Sequence, residues 1–120
     1  MKNLVRVMLL LFPVTAFSSA GFVSGSELHE WGQAVARSET GDARLSDAQD
    51  VGQFDGYVQG VVDNSLGSLL CVPEGVKLGQ LETMVIKFVE GNPQFWNYSA
   101  DLLVIKALID AFPCKSKQVK

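Results

Sequence analysis

Apolar residues recur along this chain with helical rather than strand spacing. Between Lys77 and Glu90 the set Leu78, Leu81, Met84, Val85, Phe88 and Val89 returns every three or four residues, with Gln80, Thr83, Lys87 and Glu90 opposite, which predicts a helix packing one face inward. Gly91-Asn92-Pro93 ends it, with the glycine expected just past the last turn. Upstream, Val51, Phe54, Tyr57, Val58, Val61 and Val62 gather on one side of a helix spanning about 47–66. A shorter first helix is expected over 26–36, capped by Ser24 or Ser26, with Glu27 and Glu30 near its start and Leu28, Trp31 and Val35 on one face. The polar stretch Arg37 to Asp50 reads as an exposed loop leading into the second helix. A fourth helix starts near Asn97 or Ser99 and runs to Phe112, where Pro113 stops it. Its apolar residues, Leu102 to Ile105, Leu108, Ile109 and Phe112, surround nearly the whole cylinder and predict a central, buried helix. No segment combines two-residue alternation with hairpin turns, so the expected fold is all-α: four helices, with room for short extra turns.

Two local patterns interrupt this scheme. Gly52, Gly56 and Gly60 recur every four residues on a different side of the second helix. Each costs about 1 kcal/mol relative to alanine, so a close helix crossing is expected there, either within the monomer or against a subunit or partner. Asp55, Gln59 and Asp63 beside them exclude a membrane crossing. The second pattern is Pro93-Gln94-Phe95-Trp96-Asn97-Tyr98, an aromatic turn between helices that either caps the core or exposes an anchor for a partner, since Trp and Tyr are enriched at binding hot spots. As an anchor, Trp96 replaced by alanine is expected to weaken binding by about 2 kcal/mol.

The N-terminus changes the picture. Lys2 and Arg6, the apolar run Leu4 to Phe12 and the small residues Ser18-Ser19-Ala20 read as a cleaved export signal over residues 1–20, leaving 21–120 as one domain. An uncleaved anchor is the other reading, disfavoured because Pro13, Thr15 and Ser18 break an apolar run that needs roughly 20 residues to span a bilayer. The whole chain carries −3, and removal of Lys2 and Arg6 leaves residues 21–120 at −5. That surface repels nucleic acid and anionic lipid; it either suits a neutral or basic partner or only keeps the chain soluble. The two cysteines, Cys71 and Cys114, in an oxidising compartment predict one disulfide, worth roughly 4 kcal/mol at the upper end.

The sole histidine, His29, lies on a polar edge of the first helix and reads as a surface residue, and both thiols are committed to the disulfide, so no nucleophile has a base. Asp47 and Asp50 could in principle act as an acid and base pair, but carboxylates in a polar loop are usually only solvated. Two cysteines and one histidine make no zinc set, and no phosphate-binding loop or other cofactor motif occurs. Asn97-Tyr98-Ser99 fits a glycosylation acceptor and reads as a chance match. The chain reads as a binding protein, not an enzyme.

GYVQGVVD (Gly56 to Asp63), CVP (Cys71 to Pro73), Gln80-Leu81, Asn92-Pro93 and ALIDAFPC (Ala107 to Cys114), in that order over roughly Ser24 to Cys114, resemble the Rap/Tai family of immunity proteins. The resemblance implies a periplasmic helical protein, often a homodimer, that occludes the active-site cleft of a peptidoglycan amidase delivered by type VI secretion. It implies the Cys71–Cys114 pair, and a recognition surface for which the turn bearing Glu90, Asn92, Gln94, Phe95, Trp96 and Tyr98 is favoured. Many relatives carry a second cysteine pair at positions matching Gly32 and Phe54, so the first helix here would be held by Leu28, Trp31 and Val35. A periplasmic chaperone or apolar-ligand carrier is the alternative, and it requires a sizeable cavity between the third and fourth helices.

Overall fold

The computed structural model describes residues 21–115; the expected export signal, residues 1–20, lies outside them. Four α-helices follow in order, α1 (Gly25–Thr40), α2 (Asp47–Ser65), α3 (Leu78–Gly91) and α4 (Ala100–Ile109), with a single 3-10 turn, Pro93–Phe95, before α4. Among the described residues extended pairing is limited to isolated bridges such as Ser24 with Ser99 and Leu70 with Pro113. The fold is a small all-α domain.

Helix α1 opens on a reciprocal cap, in which the Glu27 N–H donates to Ser24 Oγ at 3.2 Å and the Ser24 N–H donates to Glu27 Oε2 at 2.8 Å. It continues a full turn past the expected end, absorbing Arg37 to Thr40 from the expected loop. Polar composition suggested a loop, but Ser38 and Thr40 donate their hydroxyls back to the Ala34 and Arg37 carbonyls, and Gly41, at φ 81°, closes the end in the left-handed conformation glycine tolerates. At the end of α3 the cap is Asn92 rather than glycine: Gly91 is the last helical residue, and the Asn92 side-chain amide donates to the Phe88 carbonyl at 2.7 Å.

The core is Leu28 from α1, Phe54, Val58 and Val62 from α2, Leu70 from the following loop, Leu81, Val85 and Val89 from α3, and Leu103, Val104 and Leu108 from α4. The apolar faces expected on α2 and α3 therefore point inward, with Val51, Tyr57, Val61, Leu78, Met84 and Phe88 half-buried at their margins. Helix α4 is shorter and less enclosed than expected. It touches α1, α2 and α3, yet Leu102 is 42% exposed, and the chain turns at Asp110 because Phe112 N–H bonds back to Leu108 O at 2.9 Å.

Two covalent or ionic ties complete the domain. Cys71 and Cys114 form the expected disulfide, 43 residues apart in sequence, with Cys71 N–H also donating to Phe112 O at 2.9 Å. Arg37 of α1 grips Asp47 at the start of α2 through two hydrogen bonds, of 3.0 and 2.8 Å. Asp47, read from sequence as a solvated acid, is 1% exposed.

The glycine stripe corrects an expectation. A Cβ placed on Gly52, Gly56 or Gly60 meets nothing within 4 Å, so among the described residues no other helix crosses there. The inward face of α2 is Phe54, Val58 and Val62, and the glycines look outward. The close approach occurs in α1 instead. A Cβ on Gly25 would fall 2.6 Å from Leu103 Cδ1 and 2.9 Å from the Trp96 backbone, so only glycine lets the start of α1 seat on the turn before α4.

Candidate protein-recognition site

The turn between α3 and α4 is built by side chains that return to backbone. Asn92 O accepts from Phe95 N–H at 3.0 Å and Pro93 O from Trp96 N–H at 3.2 Å, closing the 3-10 turn. The Trp96 indole N–H donates to Val89 O at 2.8 Å, and Gln94 Nε2 donates to Asn92 Oδ1 at 3.1 Å. Phe95 lies between Tyr98, 5.4 Å away, and Phe88, 6.3 Å away, with Lys106 Nζ of α4 5.5 Å above its ring. From the other side α1 is fastened on: Gly25 N–H donates to Tyr98 O at 2.8 Å and Ser26 N–H to Trp96 O at 2.9 Å. His29 stacks on the Trp96 indole with ring centroids 3.9 Å apart, and its Nε2 lies 3.0 Å from Gln33 Nε2.

These contacts divide the six residues singled out from sequence. Phe95, Trp96 and Asn92 are half-buried and hold the turn, whereas Glu90, Gln94 and Tyr98 face solvent. The core-capping reading holds for Phe95 and Trp96, whereas Tyr98 is 42% exposed. Sequence reasoning missed the His29–Trp96 stack, which depends on two helix ends meeting. The backbone hydrogen bonds from residues 25 and 26 gave no local signal either, although a glycine directly after a cap residue was a hint of close approach.

Gly32 and Phe54, where the resemblance implied a second cysteine pair in relatives, also come together. A Cβ on Gly32 would lie 3.5 Å from Phe54 Cε2 and 3.3 Å from Ile86 Cγ1. The fully buried Phe54 ring occupies the space above Gly32, so apolar packing joins α1 to α2 where a disulfide could have done so. Trp31 adds an edge-on contact with Tyr57, 6.1 Å between centroids. Helix α1 is therefore held by more than Leu28, Trp31 and Val35.

The model of the family described as Rap1a immunity proteins matches residues 24–114, most of the chain. The chain belongs to the Rap1a immunity proteins. No curated protein matches it. Membership makes this an immunity protein, of a kind that works by binding a cognate toxin, and the matched segment begins at the α1 cap, Ser24, and ends at the disulfide, Cys114. Within this Rap1a domain, no helix among the described residues is long and apolar enough to cross a membrane, and no group of three or more His, Cys, Asp or Glu side chains among them could hold a metal ion.

Proposed function

We propose that this Rap1a protein is exported to the periplasm, its signal cleaved after Ala20, and that it binds and occludes the active site of a peptidoglycan amidase delivered by type VI secretion. The observation that carries the reading is a turn, Glu90 to Tyr98, fixed by backbone and aromatic contacts on its inner side yet presenting Glu90, Gln94 and Tyr98 outward. Such a turn loses little conformational freedom on docking. The block is steric: the turn enters the cleft, and neighbouring helix faces supply the rest of the roughly 800 Å² each partner buries in a stable complex. The acidic surface speeds encounter with a basic toxin, and the disulfide supports an oxidising compartment.

Calorimetric titration against the amidase encoded beside its gene tests this. Binding at micromolar concentration or tighter is expected; its absence overturns the reading. Replacing Gln94 and Tyr98 together with alanine is expected to weaken binding by about 2 kcal/mol, while unchanged affinity removes the turn from the interface. Trp96→Ala is less direct, because that indole also holds the fold.

A second copy of the chain is the proposed occupant of the outward glycine stripe, giving a homodimer. Sedimentation is expected to show a dimer for the protein and a monomer when Gly52, Gly56 and Gly60 are replaced by leucine; a wild-type monomer at all concentrations refutes it. The carrier alternative requires a sizeable cavity between α3 and α4; the hollows described lie elsewhere, a slot of about 40 Å³ between α1 and α3 and an open groove of about 280 Å³ where α2, the disulfide loop and the start of α3 meet.

A further inference from the structure

At the other end of α3 from the aromatic turn, the last turn of α2, the disulfide loop and the first turn of α3 enclose an open groove of about 280 Å³. Its walls include the apolar side chains Val62, Leu66, Val72 and Leu81, and the carboxylates of Asp63 and Glu74 stand among them with no lysine or arginine lining it. We infer that this groove is a second docking site, for a protein segment that presents an apolar side chain next to a lysine or arginine.

Three features select that chemistry. First, apolar surface is left in water: Leu66 of the groove wall is 48% exposed, and covering such surface is worth about 25 cal/mol per Å². Second, Asp63 and Glu74 are both solvent-exposed and nothing of opposite charge lines the groove with them. A cation arriving beside the apolar side chain is attracted, and an anion is repelled. Third, the groove is formed in advance. Gly67 N–H donates to Leu70 O at 2.8 Å and Leu70 N–H to Ser65 O at 3.0 Å, while Cys71 is tied to Phe112 by hydrogen bond and to Cys114 by the disulfide. Buried Leu70 anchors the loop from below. A wall held this way need not be ordered when a segment binds. The inference goes beyond the amidase reading and does not depend on it, since Gln94 and Tyr98 lie at the far end of α3.

The test is a nuclear magnetic resonance titration of residues 21–120, labelled on the amides, with the peptide acetyl-Gly-Lys-Leu-Lys-Gly-amide. Expected are shifts confined to the amides of the groove wall, and affinity lower on the order of tenfold for acetyl-Gly-Glu-Leu-Glu-Gly-amide. The Asp63→Lys/Glu74→Lys variant, changed at two exposed positions, is expected to keep its spectrum elsewhere and lose the response. Equal binding of the two peptides, shifts scattered over the surface, or an undiminished response in the variant overturns the inference. Lys117, Val119 and Lys120 of the chain itself carry the same chemistry, so the titration is repeated on a chain ending at Lys115. Unchanged affinity leaves the groove to a partner; a gain assigns it to the chain's own end and overturns the proposal. Gln94→Ala/Tyr98→Ala, which tests the amidase turn, is expected to leave this titration unaltered.

Discussion

Asp47 joins two helices through one carboxylate, and its ionisation records the join. The Arg37 guanidinium, then the Arg44 backbone N–H at 2.8 Å, hold it down to about 2 from an ordinary 3.8. A folded value below the unfolded one means that its stabilisation is present above pH 3.8 and is lost as pH falls through about 2. Asp47→Asn is therefore expected to lower the melting temperature at pH 7, with the gap to the parent closing towards pH 2; equal melting at pH 7 would show the pair to be idle. Glu82 has the opposite sign. Burial first, then Asp55 and Glu39, raise it above its ordinary 4.5, and its Oε1 is buried without a hydrogen-bond partner. Ionised Glu82 thus costs stability, a cost absent below pH 4.5 and complete once pH has passed the folded value. Glu82→Gln is expected to melt higher than the parent at pH 7 and alike near pH 4, and lower melting at pH 7 would contradict this. Neither acid was legible in the sequence. Asp47 looked solvated because its partner sits ten residues back, on a turn of α1 that polar composition disguised as loop.

Helix positions were legible wherever one apolar face had to be buried. Leu81, Val85 and Val89 repeat with helical spacing, and so do Phe54, Val58 and Val62; α2 and α3 begin and end within a residue or so of expectation. The far ends of α1 and α4 were not legible: α1 runs on to Thr40 and α4 stops at Ile109, short of the expected Phe112, although α4 does start beside the expected Ser99. Spacing also misjudged how enclosed α4 is, because ten residues carry more apolar side chains than three neighbours can cover. The glycines show the limit of inferring contact from cost. Their price falls on the helix, and spacing alone does not say who approaches. In dilute solution, where the proposed dimer would dissociate, Gly56→Ala and Gly60→Ala are each expected to stabilise the chain against denaturant by up to about 1 kcal/mol, since the new methyl groups enter open space. Destabilisation would reveal a neighbour within the monomer. Phe54→Ala, at the contact with Gly32 of α1, is expected to cost about 3–5 kcal/mol, and a loss under 1 kcal/mol would show that α1 does not lean on that ring.

For the molecule as a whole, the covalent tie between Cys71 and Cys114 closes the loop that carries α3 and α4. Reducing it is expected to lower stability by up to roughly 4 kcal/mol, a large share of the 5–15 kcal/mol typical of a folded domain. Finding both thiols free in the non-reduced protein would contradict the fold. The disulfide, the all-α class and the family were legible because two cysteines and a string of ordered motifs suffice for them. The division of the aromatic turn into a buried half and an exposed half was not, because it is decided by α1 closing over Trp96. On that division rests the proposed docking of the turn into a toxin. The most direct measurement is the release of peptides from peptidoglycan by the amidase encoded beside the gene, followed as this protein is added. Activity is expected to fall to zero at equimolar protein and to return when Gln94 and Tyr98 are replaced by alanine at that same concentration, whereas full amidase activity in a large excess of the unaltered protein would contradict occlusion of the active site.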